Sequence, residues 1–388
     1  MAKKKRKPRA VFRKGHESRT RNKDFTHRAE SAEDDPASER VSGKGQLTRR
    51  RTVAGGEIVA DAAGEHLLLD IDKSACVHGV VLRVQGLVST VRSDDGREFA
   101  CATRQLLKQL ATELRHVVAA GDRVWLRPEE QRNDSGQLEG IIERVEPRHG
   151  VLSRTSRGRQ QLIAVNIDQA LIVTSAAEPR IKPNLIDRYL ITCERSDIEP
   201  ILVINKIDLI DPVELVPFVG SYAQLGYQVF PLSTITGLGV ERVRALLRGK
   251  QTVITGQSGV GKSSLLNAID PTLQIRVQTV SDETQKGRHT TTTAELYPLE
   301  ETTNDNMSGC GFVVDTPGIR SFTLWDVIAE EVAGYFRELR PFVSQCRYPD
   351  CSHTHEDFCA VKDAVADGWI NARRYESYLK IHAGDEIY

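Results

Sequence analysis

The residues GQSGVGKS at 256–263 follow an apolar run, TVIT, and precede a helix-like run, SLLNAI. Two glycines separated by four residues, the second followed by Lys-Ser, set between a strand and a helix, form a phosphate loop. Gly256, Gly259 and Gly261 let backbone amides close around phosphates at a helix N-terminus. The expected phosphate site is thus the continuous run Gly256, Gln257, Ser258, Gly259, Val260, Gly261, Lys262, Ser263 and Ser264. Lys262 is expected to reach the β and γ phosphates, as a catalytic and a binding residue, and the Ser263 hydroxyl to ligate Mg²⁺.

The base is set by a second motif. NKID at 205–208 follows the strand-like ILVI, where a ligand meets the carboxyl end of a parallel strand. Asp208 is placed to accept hydrogen bonds from the ring N–H and exocyclic amine of guanine. Adenine lacks that amine, so an aspartate here disfavours ATP and points to GTP and GDP. Asn205 either contacts the opposite edge of the base or ties its loop to the phosphate loop. Lys206 can lay its aliphatic stem on the purine face. Ser233, after QVFPL, fits a short loop that closes over the guanine.

DTPG at 315–318 ends another apolar run, GFVV. Asp315 suits the second Mg²⁺ position, through water, and the Gly318 amide can face the γ-phosphate. Between the phosphate loop and DTPG lies GRHTTTT at 287–293, whose composition suits either a loop or a Thr-rich strand. As a loop, one threonine of 290–292, with Thr291 taken as the candidate, would ligate Mg²⁺ only when the γ-phosphate is present, making the segment an order–disorder switch. Ile319 follows DTPG at the place where Ras-like GTPases carry a water-orienting glutamine, and isoleucine cannot orient water. His289 is the local catalytic candidate in its stead, against the plainer reading of a solvated loop histidine. The motifs run NKID, Ser233, phosphate loop, Thr run, DTPG, a circular permutation of the usual order.

Cys346, Cys351, His353 and Cys359 form C-x4-C-x-H-x5-C. Three thiolates and an imidazole within fourteen residues fit a closed tetrahedral zinc site, structural because no coordination position stays open. His355 is the rival imidazole. Cys76, Cys101, Cys193 and Cys310 are scattered and read as structural or inert.

These residues need elements to hold them. The chain has 388 residues, 39% apolar and 27% charged, enough for two or three domains with buried cores. No apolar run is long enough to span a membrane, and MAKKKRKPRA lacks the apolar segment of a secretory signal. Seven cysteines argue against a full disulfide framework, so a cytoplasmic protein with no membrane partner is expected. The 53 basic and 53 acidic residues cancel. Their distribution does not: residues 1–51 hold 17 Lys/Arg and 7 Asp/Glu, a surplus of ten, leaving minus ten on the remainder. That asymmetry suggests a polyanionic partner.

Residues 1–55 carry almost no periodic apolar residues and are expected to lack order. Their KKKRK is compatible with a nuclear address, a phosphate-binding arm or a solubilising tail. Residues 70–150 show short alternating or apolar runs (VHGVVLRVQG, LVSTVR, REFACAT, DRVWLRPEE, LEGIIERVEP) between turn residues, which favours a small antiparallel barrel or sandwich; an oligonucleotide-binding barrel, the OB-fold, fits the length. Residues 102–119 instead have helical apolar spacing. Residues 76–150 balance eleven basic against eleven acidic residues and offer only Phe99 and Trp125 as aromatics, so base stacking is poorly supported there. From 155 to 325, strands QALIVTS, PILVINK, QVFPLS, TVITG and GFVVDT alternate with helices, as in a parallel α/β sheet. Residues 326–388 read as mostly helical around the Cys/His cluster.

Taken together, IAVNIDQALIV, LIDRYL, NKIDL, GQSGVGKSSLLN, KGRHTTT, DTPGIRSF and the cysteine cluster resemble the RsgA (YjeQ) family of circularly permuted GTPases, from about residue 70 to the C-terminus. The resemblance implies an N-terminal OB-fold, a central permuted P-loop GTPase and a C-terminal helical zinc domain. It further implies a GTP-hydrolysing assembly factor that binds the small (30S) ribosomal subunit and its 16S rRNA and is stimulated by the subunit. Family proposals give the switch histidine, here His289, a catalytic part. The tail looks longer and more basic than the family pattern. Two rivals stay open: a scaffold that uses GTP only as an occupancy signal, and a permuted GTPase acting on the large subunit or another RNA.

Overall fold

The computed structural model describes residues 9–11, 41–42, 50–53, 56–62, 64–104, 107, 118–133, 136–156, 159–273, 294–299, 311–315 and 328–384. They divide into two compact units. One draws on Met1–Ile167, Thr291–Cys310 and Val314–Thr316, the other on Asp168–Thr290, Gly311–Val313 and Pro317–Tyr388.

The first unit begins with short strands. β1 (Arg9–Val11), β2 (Val41–Ser42) and β3 (Arg50–Val53) pair antiparallel in the order β1-β3-β2, although this stretch was expected to lack order. β4 (Gly56–Asp61) and β5 (Gly64–Leu69) form a hairpin that composition did not announce. Backbone pairing needs no buried apolar surface, which is why a polar sequence can hold these strands.

The barrel follows the sequence runs closely. β6 (Val77–Gln85), β7 (Val88–Ser93), β8 (Glu98–Thr103), β9 (Arg123–Arg132) and β10 (Leu138–Val145) pair in the order β6-β7-β8-β10-β9. β9 then pairs back on β6, so the sheet closes and exposes no edge. The closed sheet is a barrel rather than a sandwich, and it departs from the antiparallel expectation at one place. The β8–β10 pair is parallel, because the long segment between β8 and β9 lets β10 return beside β8 in the same direction, and the others are antiparallel. Alternation along each strand sends Val81, Val91, Phe99, Cys101, Val124, Leu126 and Ile142 into one core with Leu107. Gly79 has no room for more, because a Cβ there would lie 2.6 Å from the Arg92 carbonyl oxygen. Beneath the barrel, Arg148 and Asp122 form a buried ion pair at 2.7 Å, and Asp122 also accepts the Ala119 amide. Ala102 and Thr103 end β8; the rest of the expected 102–119 helix lies almost wholly outside the described residues. A second hairpin, β11 (Leu152–Ser156) with β12 (Arg159–Ala164), leads out of the barrel. Much later in the chain, β17 (Glu295–Pro298) returns to pair antiparallel with β6, Glu295 opposite Arg83 with a 3.1 Å ion pair between them.

In the second unit β13 (Gln169–Ser175), α1 (Pro183–Arg195), β14 (Glu199–Asn205), α2 (Val216–Ala223), β15 (Gln228–Pro231), α3 (Val240–Leu247), β16 (Gln251–Gly256) and α4 (Lys262–Ile269) alternate, and β18 (Phe312–Asp315) has its first two residues there. The strands lie in the order β15-β14-β13-β16-β18. The pairs β15–β14, β14–β13 and β13–β16 are parallel. Phe312 donates its amide to the Lys250 carbonyl, so β18 starts at the same edge as β16. β13 is buried at every position, as a parallel strand covered on both faces requires.

The C-terminal residues belong to this same unit. α5 (Val332–Tyr335), α6 (Arg340–Val343), α7 (Ala360–Ala366) and α8 (Ala372–His382) surround a core of Phe336, Leu339, Val361, Ile370 and Tyr378 that also includes Ile191 of α1. α8 starts where Asn371 accepts the Arg373 amide at 3.0 Å, an ordinary N-cap. Two charged clusters flank Ile191 on α1. Asp187 accepts from Arg374, whose guanidinium also grips Glu338 through two hydrogen bonds, at 2.6 and 3.2 Å. Glu194 receives both Arg337 and Arg340. Asp187, Ile191 and Glu194 are spaced four and three residues apart, so one stripe of α1 carries the whole junction.

Candidate nucleotide site and metal centre

Three motif segments leave the carboxyl edge of one sheet. NKID begins on the last residue of β14, Ser233 follows β15, and the phosphate loop begins on the last residue of β16; Asp315 is the last residue of β18. That edge is where open α/β sheets bind ligands.

The phosphate loop is backbone-determined. Gly256 sits at φ 142°, and a Cβ there would lie 2.0 Å from the Val173 carbonyl oxygen. Gly261 sits at φ 93°, where a Cβ would meet Asn205 Nδ2 at 2.4 Å. Both positions therefore exclude any side chain. Lys262 opens α4, and its ammonium donates to the Gly256 and Gln257 carbonyls, each at 2.8 Å. Ser263 and Ser264 follow in the first turn of α4, beside its positive end. Ser258 is exposed at the tip, and Val260 is buried beneath it.

Asn205 binds the site together. It is fully buried, and its Nδ2 donates to the Val260 carbonyl at 2.9 Å. Its Oδ1 accepts the Lys206 amide at 2.8 Å and the Thr234 amide at 3.2 Å. Of the two roles open to Asn205, the geometry provides the tie: one side chain joins the guanine motif, the phosphate loop and the Ser233 loop. Lys206, at φ 63°, donates to the Gly259 carbonyl at 2.8 Å and to the Glu178 carbonyl. Ser233 is buried, and its Oγ accepts the Ile235 and Thr236 amides at 3.3 and 3.2 Å, fixing the short loop. Asp208 is exposed, its carboxylate open to a base. The Glu178 and Thr234 contacts are backbone groups, which carry no residue-type signal in sequence.

Asp208→Asn should therefore lower affinity for GTP by about 10- to 100-fold, the loss of charge-assisted hydrogen bonds. It should raise affinity for xanthine nucleotide, which presents an oxygen where guanine presents an amine. Titration with both nucleotides checks this, and unchanged GTP preference would exclude the assignment.

Gly318, Ile319, His289 and the threonines 290–292, Thr291 among them, lie outside the described residues, and Asp315 is described by its backbone alone.

The second cluster is complete. One donor atom each from Cys346, Cys351, His353 and Cys359 lies within 4.8 Å of the others. Cys346 Sγ stands 3.9 Å from Cys359 Sγ, and His353 Nδ1 stands 3.4 and 3.5 Å from those two sulfurs. A tetrahedral ion with metal–sulfur bonds of about 2.3 Å sets sulfur atoms about 3.8 Å apart, so these are the spacings of ligands sharing an ion. Protonation agrees. Burial pushes the Cys351 thiol up to about 12 and the Cys359 thiol up as well, so a cation is what would hold them as thiolates. Burial lowers the pKa of His353, leaving a neutral imidazole free to ligate. His355 is exposed and outside the group. Tyr375 and Tyr378 donate to the carbonyls of His353 and Ser352 at 2.7 and 2.6 Å, tying the ligand loop to α8. Elsewhere, burial drives the Cys101 and Cys193 thiols upward, consistent with inert core residues.

Comparison with known proteins agrees with this geometry. A family model described as RsgA GTPase matches residues 145–325. The small ribosomal subunit biogenesis GTPase RsgA of Yersinia enterocolitica is 40% identical over 310 residues, which span 78% of this chain and 83% of that protein. The protein of the same name from Shewanella oneidensis is 37% identical over 346 residues, 88% of this chain and 93% of its own. Among solved structures, YjeQ from Thermotoga maritima superposes with a TM-score of 0.62 at 32% identity, covering 80% of this chain and 98% of that one. YloQ, a circularly permuted GTPase, gives 0.61 at 28% identity, covering 81% and 97%. With the permuted motifs on one sheet edge and identity of this extent, the chain belongs to the RsgA GTPase family.

Proposed function

We propose that the chain is a GTPase of small ribosomal subunit biogenesis, which binds the subunit through its 16S rRNA and is stimulated by it. The observation that carries this reading is the Asn205 tie. It assembles a guanine motif and a phosphate loop, in permuted order, within a chain whose relatives bear that name. GTP would occupy the sheet edge, with Asp208 on the base, Lys206 beneath it and Ser233 closing over it. Lys262 and the amides of 256–264 would hold the phosphates. Ser263, Asp315 and Thr291 would hold Mg²⁺, which neutralises phosphate charge when bound. Gly318 would face the γ-phosphate, and His289 would act on the attacking water in place of the glutamine that Ile319 replaces.

The barrel order β6-β7-β8-β10-β9, closed with one parallel pair, supports the OB-fold reading and a part in subunit binding. No helix among the described residues is long and apolar enough to cross a membrane, and a cytoplasmic location follows from the work proposed. GTP turnover with and without purified small subunits tests the reading.

The metal centre would hold one structural zinc ion, since four protein ligands leave no open position. Metal analysis should then return one zinc per chain. Cys351→Ser should lose it and loosen the C-terminal helices, because metal affinity is folding free energy in such sites. Folded protein free of zinc would contradict the site.

A further inference from the structure

The metal-bearing module displays aromatic rings it does not use in its own core. Phe358 is 67% exposed and Tyr348 is 44% exposed, whereas Phe336 and Tyr378 fill the core beneath. Phe358 also holds φ at 58°, a conformation that bulky residues seldom adopt. A ring kept in solvent on a disfavoured backbone is poorly explained by folding alone.

The chain itself shows what these rings accept. The Arg347 guanidinium lies 4.9 Å from the Phe358 ring centre and 5.8 Å from that of Tyr348, within cation–π range of both. Arg347 and Phe358 are joined further by a hydrogen bond from the Arg347 amide to the Phe358 carbonyl. Around them the charge is negative. Residues 344–371 hold two basic residues, Arg347 and Lys362, against five acidic ones, Asp350, Glu356, Asp357, Asp363 and Asp367. Asp350 and Asp357, which lie within the ligand loop just before Cys351 and Cys359, are both exposed. Three thiolates and one divalent cation would add a further negative charge.

That pattern selects between the two materials a ribosomal subunit presents. A phosphate backbone would meet a net charge of minus three, where RNA-binding surfaces are basic. A lysine- or arginine-rich protein segment would find acids for its charge and ring faces for its guanidinium or ammonium groups. We infer that the face carrying Tyr348 and Phe358, rimmed by Asp350 and Asp357, docks a cationic protein segment of the small subunit. Contact with rRNA then falls to other parts of the chain. This inference rests on the proposed function, since it names a partner within the same subunit.

Charge reversal separates the alternatives by sign. In full-length protein, Asp350→Lys combined with Asp357→Lys should weaken binding to purified small subunits about tenfold or more. Zinc content and basal GTP turnover should stay unchanged. Tightened binding, the response of an RNA-facing surface, overturns the inference, and so does unchanged binding. A benzophenone amino acid placed at Phe358 and irradiated with small subunits should yield an adduct that resists ribonuclease and yields to protease. A ribonuclease-sensitive adduct, or none from protein that sediments with the subunit, likewise overturns it. Failure of the wild-type chain to sediment with small subunits would instead remove the functional reading on which the inference stands.

Discussion

Lys262→Ala should lower GTP turnover by about a thousandfold while leaving the fold intact. The Lys262 ammonium donates to the Gly256 and Gln257 carbonyls of its own loop. Those bonds are local to the loop, and the sheet beneath is held by β13, whose buried strand makes no use of them. In the loaded site the same ammonium would lie where charge builds on the transferring phosphoryl group. Removing one such preorganised cation or donor costs about 10²- to 10³-fold or more in rate. Single-turnover hydrolysis checks the rate, and circular dichroism checks the fold. A variant that turns over GTP normally would show that the loop at 256–263 is not the phosphate site.

Arg374→Ala should destabilise the nucleotide-binding unit by about 3–5 kcal/mol, the cost of leaving a buried charge without its partner. Arg374 is 1% exposed and Asp187 is fully buried. Burial opposes the charge on Arg374, but Asp187 and Glu338 outweigh it and push its pKa up. Tyr222 donates to the same Asp187 oxygen at 2.7 Å, so truncation strands two carboxylates and disturbs a tyrosine. Arg340→Ala supplies the contrast. Arg340 is a half-exposed partner of Glu194, and exposed ion pairs contribute about 0–1 kcal/mol. Denaturant unfolding of both variants should show the gap. Equal losses would mean that the Arg374 cluster does not hold the C-terminal helices to α1.

Much of this was legible in sequence because the signals were local. Alternating burial along VSTVRS and the apolar run FACA marked barrel strands, and the apolar runs before NKID and GQSGVGKS marked buried parallel strands. The motif glycines announced positions that tolerate no Cβ, and Gly256 and Gly261 are such positions. What escaped was non-local or carried by the backbone. The Lys206 contact with the Glu178 carbonyl depends on two loops meeting, and no residue type marks it. The strands in residues 9–53 pair through backbone groups, so polar composition concealed them. The Arg374–Asp187 cluster did leave a trace. Arg374 falls on the same helical face as Tyr378 and Ile381, and Asp187 on that of Leu190 and Ile191, charges on apolar stripes that needed buried partners. Reading 326–388 as a separate module hid that these two stripes pair with each other.

This permuted site belongs to a GTPase of small ribosomal subunit biogenesis. The most direct measurement is steady-state GTP turnover by the purified full-length chain, alone and with purified small subunits, with large subunits as a parallel arm. Turnover should be slow alone, since Ile319 cannot orient water, and should rise at least tenfold with small subunits only. Absence of turnover in every arm, or equal stimulation by large subunits, would contradict that role.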